Sequence, residues 1–121
     1  MYDHIGLKVK DLAASSRFYG AVLAPLGFMK GSEGDGYVGF GPKDAPAFWL
    51  LLNKEGKANL GTHVAFAAPD RAAVERFHAE GLKAGAKDNG KPGLRKEYSP
   101  KYYAAFLIDA DGNNIEAVCF K

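Results

Sequence analysis

Residues 4–23, HIGLKVKDLAASSRFYGAVL, resemble residues 63–82, HVAFAAPDRAAVERFHAEGL, and this internal similarity indicates the fold. Aligned without gaps at an offset of 59 residues, the two stretches share seven identities in 20 positions. The identities include His4 with His63, and Asp11 with Asp70 at the point where each strand is expected to pass into a helix. The repeat predicts two copies of one supersecondary unit.

Each copy is expected to form a βαβββ module. Strands are predicted over residues 2–10, 28–30, 36–40 and 47–52 in the first half, and over 62–68, 86–87, 102–109 and 114–120 in the second. Helices are predicted over 12–23, buried through Ala14, Phe18, Ala21 and Val22, and over 71–84, buried through Val74, Phe77 and Leu82. The chain is therefore expected to be one α+β domain, with modules at 1–53 and 61–121 joined by a polar linker at 54–60.

Composition places the chain among ordinary globular proteins. It has 121 residues, of which 47% are hydrophobic and 25% charged, and its net charge of +2 is spread among residues of both signs. This balance argues against a nucleic-acid partner. No apolar run is long enough to predict a membrane span, and the N-terminal residues do not resemble a secretory leader, so a cytoplasmic location is expected. Cys119, the single cysteine, is predicted to be a small core residue.

Glu116 lies in the middle of an apolar run, IEAVCF, that reads as a buried strand. A buried carboxylate is costly unless something pairs with it. The repeat places His4 and His63 at equivalent points, and Glu116 would lie beside His63 if the first and last strands of the second module are neighbours. Two imidazoles and a carboxylate would make a first-row metal site with open positions. The alternative is structural histidines and a Glu–Arg pair. His78, on the second helix, is predicted to be solvated.

The segments DHIGLKVKDLAASSRFYGAVLAPLGF, GTHVAFAAPDRAAVERFH and YYAAFLIDADGNNIEAV resemble the vicinal oxygen chelate superfamily, which includes glyoxalase I, extradiol dioxygenases and bleomycin-resistance proteins. The ending DxDGNxIE is the most specific part of the resemblance. The resemblance implies two paired βαβββ modules whose mixed sheets curve into a cup around a divalent metal such as Zn, Ni, Fe or Mn. The positions that match the metal ligands of such proteins are His4, His63 and Glu116.

One departure concerns the fourth strand, AFWLLLN. Glyoxalase I-like proteins usually carry a further carboxylate ligand there, whereas Trp49, Leu50 and Leu51 occupy the candidate positions here. The remaining His-His-Glu set resembles the facial triad of extradiol dioxygenases. Those usually have longer chains and an acid-base histidine that this sequence does not obviously supply.

Further site residues are expected in the loop PGLRKEYSPKYY, which is predicted to cross the mouth of the cup. Tyr103 is the candidate proton donor, alongside Glu116 as a catalytic residue. Arg95, Tyr98 and Tyr102 are candidate substrate-binding residues. The alternative is that these tyrosines pack on the sheet edge. Trp49 is expected either to line the cup or to belong to the core.

The sequence is compatible with two functions. The first is a glyoxalase-like metalloenzyme, a lyase or isomerase that chelates a small substrate through adjacent oxygens, with an oxygenase as a variant. The second is a metal-free protein that sequesters a ligand, as bleomycin-resistance proteins do. An intact His-His-Glu set favours the enzyme. A homodimer is expected in both cases, mainly from the resemblance and also because the sheets leave edges that need covering.

Overall fold

The structure, a computed structural model, describes residues 1–57 and 61–121. The elements in chain order are β1 (Ile5–Val9), α1 (Leu12–Leu23), a 3₁₀ helix (Ala24–Leu26), β2 (Met29–Gly34), β3 (Tyr37–Gly41), β4 (Phe48–Leu52), β5 (His63–Ala67), α2 (Arg71–Lys83), β6 (Lys87–Leu94), β7 (Tyr103–Ile108) and β8 (Asn114–Cys119). The element order is βαβββ twice, as the repeat predicts. Part of the predicted linker, residues 58–60, lies outside the described residues.

Each module forms its own four-stranded mixed sheet. The strand orders are β1-β4-β3-β2 in the first sheet and β5-β8-β7-β6 in the second. The first and last strands of a module are parallel neighbours, and the other pairs are antiparallel. The prediction of two paired βαβββ modules is confirmed, including the neighbouring position of the strands that carry His63 and Glu116.

The two helices begin at the repeated aspartates. The carboxylate of Asp11 accepts a hydrogen bond from the Ala14 amide, and that of Asp70 accepts one from the Ala73 amide. These bonds satisfy backbone donors that the first turn of a helix leaves without partners. Helix α1 matches its predicted range, and α2 ends one residue early.

The helices bury faces that differ slightly from the predicted ones. In α1 Tyr19 is fully buried, whereas Phe18 is only half-buried. In α2 Val74 and Phe77 are buried as predicted, but Leu82 is 43% exposed. The prediction for Leu82 was wrong because Gly81 instead faces the core there, where a Cβ would approach a Leu107 methyl to 2.2 Å.

The modules join through the helix side of both sheets. Helix α1 packs on the first sheet, α2 packs on the second, and the two helices contact each other. The rings of Phe48 and Phe66 meet edge to face at 5.0 Å, one from each module. Tyr19 of α1 also donates a hydrogen bond to the buried carboxylate of Asp109 in the second module. The joint core includes Cys119, as predicted.

Strand β6 is longer than the sequence predicts. It spans eight residues and includes Gly90, Pro92 and Gly93, which are unfavourable in a regular strand. The structure accommodates them because β6 is an edge strand with two register shifts against β7. The loop predicted over residues 92–103 is correspondingly shorter.

The prediction that His78 is solvated was wrong. Its side chain is 8% exposed, and its Nε2 lies 2.9 Å from Asp88 Oδ1 on β6. The same carboxylate oxygen accepts a hydrogen bond from the Gly90 amide. The hydrogen bond with His78 is the main reason that the pKa of Asp88 lies below its usual range, and the Gly90 amide adds to it. His78 therefore ties α2 to the edge strand.

No helix in the described parts of the chain is long and apolar enough to cross a membrane.

Candidate functional site

The face of the second sheet that points away from α2, called here the outer face, carries the candidate site. Residues alternate along β5, so that Val64 and Phe66 are buried in the core while His63 and Ala65 point outward. Ala65 pairs with Glu116 on β8, which in turn pairs with Phe106 on β7. His63, Glu116 and Phe106 therefore share the outer face.

Glu116 is buried and has two polar partners. Only 2% of its side chain is exposed, and its Oε1 lies 3.1 Å from Nε2 of His63. Its other oxygen, Oε2, accepts a hydrogen bond from the Tyr102 hydroxyl. The sequence predicts that a buried carboxylate needs a partner, and these two residues meet that need.

The His63 ring is oriented by a backbone carbonyl. Its Nδ1 lies 3.0 Å from the carbonyl oxygen of Asn114, the residue that pairs with His63 across β5 and β8. Because a carbonyl oxygen can only accept, this contact places a proton on Nδ1. The other nitrogen, Nε2, then faces the Glu116 carboxylate. With Nδ1 protonated, the contact between Nε2 and Oε1 needs either a proton shared between these two atoms or a bound cation, because otherwise two lone pairs would face each other.

Tyr102 completes this group at the end of the loop that precedes β7. Burial, followed by the hydrogen bond and charge of Glu116, raises the pKa of Tyr102 to about 12. The hydroxyl thus keeps its proton at neutral pH and acts as a donor. Tyr98 and Phe120 flank the Tyr102 ring edge to face at 5.1 and 5.3 Å.

The sequence predicts Tyr103 as the proton donor, but its side chain lies on the helix side of the second sheet, opposite Glu116. Its hydroxyl donates to Glu75 of α2 at 3.0 Å, and the guanidinium of Arg71 lies over its ring. Burial and the Glu75 hydrogen bond raise its pKa. Successive strand residues point to opposite faces, so only one of two adjacent tyrosines can meet Glu116. That tyrosine is Tyr102.

Arg95 lies on the outer face with the group. Its guanidinium carbon is 5.4 Å from the centre of the Phe106 ring, and the His63 ring stacks on the same phenyl at 6.4 Å and 23°. Phe106 and Asn114 were not predicted as site residues. The alternation of β7 and β8 about Glu116 is the signal that could have identified both.

Trp49 and His4 belong to the first sheet. Trp49 is half-buried on β4, where its ring covers Gly39 of β3 and lies 6.0 Å from Tyr37. His4 precedes β1, is 61% exposed, and has its Nδ1 2.6 Å from Asp3. Trp49 therefore lies on the face of the first sheet that points away from α1, which is the outer face of that sheet, and it is outside the joint core.

Within one chain, the structure brings together His63, Glu116 and Tyr102. In residues 1–57 and 61–121, no group of three or more His, Cys, Asp or Glu side chains is placed to share a metal ion. The predicted inclusion of His4 in a metal site thus stays a prediction, as do the catalytic and substrate-binding roles of the other residues.

Comparisons with known proteins agree with this architecture. A family model described as the Glyoxalase/Bleomycin resistance protein/Dioxygenase superfamily matches residues 2–117. Among solved structures, a glyoxalase/bleomycin resistance protein from Albidiferax ferrireducens T118 is 31% identical, with a TM-score of 0.86 and 98% of each chain covered. A glyoxalase/bleomycin resistance protein/dioxygenase family enzyme from Burkholderia phytofirmans PsJN is 15% identical, with a TM-score of 0.77 and the same coverage, and so shares the fold. Among curated proteins, no sequence matches this chain. The chain belongs to the Glyoxalase/Bleomycin resistance protein/Dioxygenase superfamily.

Proposed function

We propose that the protein is a glyoxalase-like, metal-dependent enzyme of the lyase or isomerase type. Its substrate would be a small molecule with adjacent oxygen atoms. His63 and Glu116 would bind the divalent ion, with His4 as a third ligand. The observation that carries this proposal is the arrangement of Nε2 of His63 and Oε1 of Glu116, which are 3.1 Å apart with Nδ1 occupied by a backbone carbonyl.

The donor set fits a divalent transition metal. Imidazole nitrogen and carboxylate oxygen bind such ions at about 2.0–2.2 Å, which places two ligands of one ion roughly 3 Å apart. Metal-binding histidines commonly donate their other N–H to a backbone carbonyl, as Nδ1 of His63 does to Asn114. The ion would also remove the repulsion between the Nε2 lone pair of His63 and the Glu116 carboxylate.

The ion would serve as a Lewis acid toward the substrate oxygens. The chain's own residues would perform the remaining tasks. The Asn114 carbonyl fixes the tautomer of His63, and the Tyr102 hydroxyl fixes the carboxylate of Glu116. Because its pKa is raised, Tyr102 would stay protonated and donate a hydrogen bond to a negatively charged oxygen, either the Glu116 carboxylate or a substrate oxygen beside it.

A homodimer would complete the site. The outer face of the first sheet carries Trp49 and the 39%-exposed Leu51, and His4 precedes that sheet's first strand. If this face packs against the outer face of the second sheet in another copy, His4 and Trp49 would lie over His63 and Glu116. The exposed apolar side chains of the first sheet support such a contact, since burying them favours association.

A metal-free ligand-binding protein is the second candidate. Glu116 already has a full set of partners if His63 is protonated, because one oxygen faces the imidazolium and the other accepts from Tyr102. In addition, Trp49 occupies the β4 position that pairs with Gly6, and a tryptophan cannot bind a metal. In that case the same outer faces would hold a ligand between aromatic side chains.

Metal titration of chelator-treated protein separates the two candidates. Zn²⁺, Ni²⁺, Fe²⁺ and Mn²⁺ are added to the wild type and to Glu116→Gln, His63→Gln and the control Glu75→Gln, whose carboxylate lies on the helix side. Binding is followed by calorimetry and thermal melts. The enzyme proposal expects at least one metal to stabilise the wild type and the control while both site variants lose this effect. Equal metal responses in all four proteins, or none in any, would reject it in favour of the ligand-binding candidate.

A further inference from the structure

We propose that Arg95 binds an anionic group of the substrate, a carboxylate or a phosphate, beside the His63–Glu116 pair. This inference rests on the proposed function for the position of the reacting oxygens. It adds that the substrate carries a negatively charged group, separated from those oxygens by about the width of one aromatic ring.

The Phe106 ring connects Arg95 to the candidate site. The guanidinium lies over this ring, and the imidazole of His63 stacks on it, at centroid distances of 5.4 and 6.4 Å. Phe106 also pairs directly with Glu116 across β7 and β8. An anion held by Arg95 would therefore lie on the same face as the carboxylate and imidazole, next to a flat apolar surface.

Two glycines on β6 leave the space in which the Arg95 side chain lies. A Cβ on Gly90 would be 2.8 Å from the Phe106 ring and 3.2 Å from an Nη atom of Arg95. A Cβ on Gly93 would be 3.1 Å from the other Nη. The Lys91 carbonyl accepts a hydrogen bond of 2.6 Å from the guanidinium. These contacts hold the side chain in place before any ligand arrives, which lowers the entropy cost of binding.

The guanidinium has donors left for a ligand. Arginine presents its N–H groups in a planar fork that matches carboxylate and phosphate oxygens, and stacking on a ring leaves the edges of that fork accessible. Within the described part of the chain, no carboxylate lies within ion-pair distance of Arg95, although other surface cations have such partners.

Positive charge is concentrated around Arg95. Residues 87–101 contain five Lys or Arg and two Asp or Glu, a net of +3, while the rest of the chain contains 11 and 12, a net of −1. One of the two acids, Asp88, already accepts hydrogen bonds from His78 and the Gly90 amide. The strand and loop that hold Arg95 therefore present a positive field that attracts anions.

Matched pairs of probes test this subsite. Lactate and lactamide differ mainly in charge, and phenyl phosphate tests a phosphate group with an aromatic body. Each is titrated into wild type, Arg95→Met and the control Lys96→Met by nuclear magnetic resonance. The amides of β6 and β7 are followed in all three proteins, and the Arg95 Nε–H signal is followed in wild type and Lys96→Met. Lys96→Met removes the same charge from an exposed neighbour.

The expected result is that the wild type and Lys96→Met bind an anion, while Arg95→Met binds it about tenfold or more weakly. None of the three proteins should bind lactamide measurably. Comparison of lactate with phenyl phosphate identifies which oxyanion is preferred. Equal weakening by both substitutions would overturn the proposal, since it would indicate non-specific attraction, and so would equal binding of lactate and lactamide.

The titrations also separate this inference from the proposed function. The three proteins are first tested for Zn²⁺ binding, which Arg95→Met is expected to retain because it leaves His63 and Glu116 unchanged. If Zn²⁺ binds but wild type and Arg95→Met bind the anions equally, the anion subsite is rejected and the metal-enzyme proposal is retained. If anions bind through Arg95 but no metal binds, the metal-enzyme proposal fails and the anion subsite remains.

Discussion

Trp49 on β4 and Glu116 on β8 occupy equivalent positions in the two modules. Trp49 pairs with Gly6 on β1, and Glu116 pairs with Ala65 on β5, while Gly6 and Ala65 are separated by the 59-residue repeat offset. The tryptophan ring fits only because its neighbour on β3 is Gly39, where a Cβ would lie 2.6 Å from the ring. One module thus presents an aromatic wall where the other presents a carboxylate.

The first prediction concerns the proposed dimer. Leu51→Lys places a charge on the outer face of the first sheet, and a charge buried in an interface is costly. We therefore expect sedimentation equilibrium at tens of micromolar to show a dimer for the wild type and a monomer for Leu51→Lys. The fluorescence of Trp49, the single tryptophan, should shift to the red as its face becomes hydrated.

Leu82→Lys is the matched control for this dimer, because Leu82 is 43% exposed but lies on α2. It should sediment as the wild type does. A wild-type monomer, or equal dissociation of both variants, would contradict the expected interface.

The second prediction concerns two helix glycines. Gly20→Ala should stabilise the protein by about 0.5–1 kcal/mol because alanine is the better helix former. The closest atom to the new methyl, on Phe40, would be 4.0 Å away. Gly81→Ala should instead destabilise by about 1–3 kcal/mol, since its methyl would lie 2.2 Å from a methyl of Leu107 and 3.4 Å from Val22. Urea unfolding of both variants measures the difference. Equal stability of the two variants would show that α2 does not pack so closely on β7.

The repeat made the fold predictable from sequence, whereas the site depended on details of register. The offset of 59 residues, the two capping aspartates and the apolar alternation all agree, so the βαβββ order and the position of Glu116 beside His63 follow from them. The β4 position equivalent to Glu116 was ambiguous among Trp49, Leu50 and Leu51. Strand pairing is a long-range property, and only the observed register identifies Trp49.

Two other details could not be predicted from the sequence because they too depend on the register and length of strands. Tyr102 and Tyr103 are adjacent, so a one-residue error in the start of β7 exchanges their faces. His78 looks solvated beside charged neighbours in sequence, but the unexpectedly long β6 brings Asp88 to it. The faces of the two tyrosines depend on the register of β7, and the contact of His78 depends on the length of the edge strand β6.

The third prediction concerns acid stability and the His78–Asp88 contact. The hydrogen bond from His78, followed by that from the Gly90 amide, lowers the pKa of Asp88 in the folded protein. The stabilisation is therefore present above the unfolded pKa of Asp and is lost as pH falls through the lower, folded pKa. Asp88→Asn should be less stable than wild type at pH 7, and the difference should shrink as pH falls below the usual pKa of Asp.

Asp35→Asn is the control for that titration because Asp35 is an exposed turn carboxylate. Its replacement should leave the unfolding free energy within about 0.5 kcal/mol of the wild type at pH 7. If Asp88→Asn also follows the wild type throughout, the contact does not stabilise β6.

The last prediction concerns the two adjacent tyrosines. Tyr102→Phe removes a donor from the buried carboxylate of Glu116 and should cost about 1–3 kcal/mol of stability at pH 7. Tyr103→Phe removes an exposed hydrogen bond to Glu75 and should cost less than about 0.5 kcal/mol. Urea unfolding of the two variants and the wild type at pH 7 measures both costs. Equal losses would contradict the different roles of the two faces.

The same variants can be compared at alkaline pH, where the stabilisation by the Tyr102 hydroxyl should be lost. Burial and the Glu116 hydrogen bond raise the folded pKa of Tyr102 to about 12, above its usual value of 10.0. Its contribution is therefore complete below pH 10 and is lost as pH rises through about 12. Phenylalanine at this position does not ionise, so the stability gap between Tyr102→Phe and the wild type should narrow over that range. A gap that stays constant to pH 12 would mean that the hydroxyl of Tyr102 does not bind Glu116 in solution.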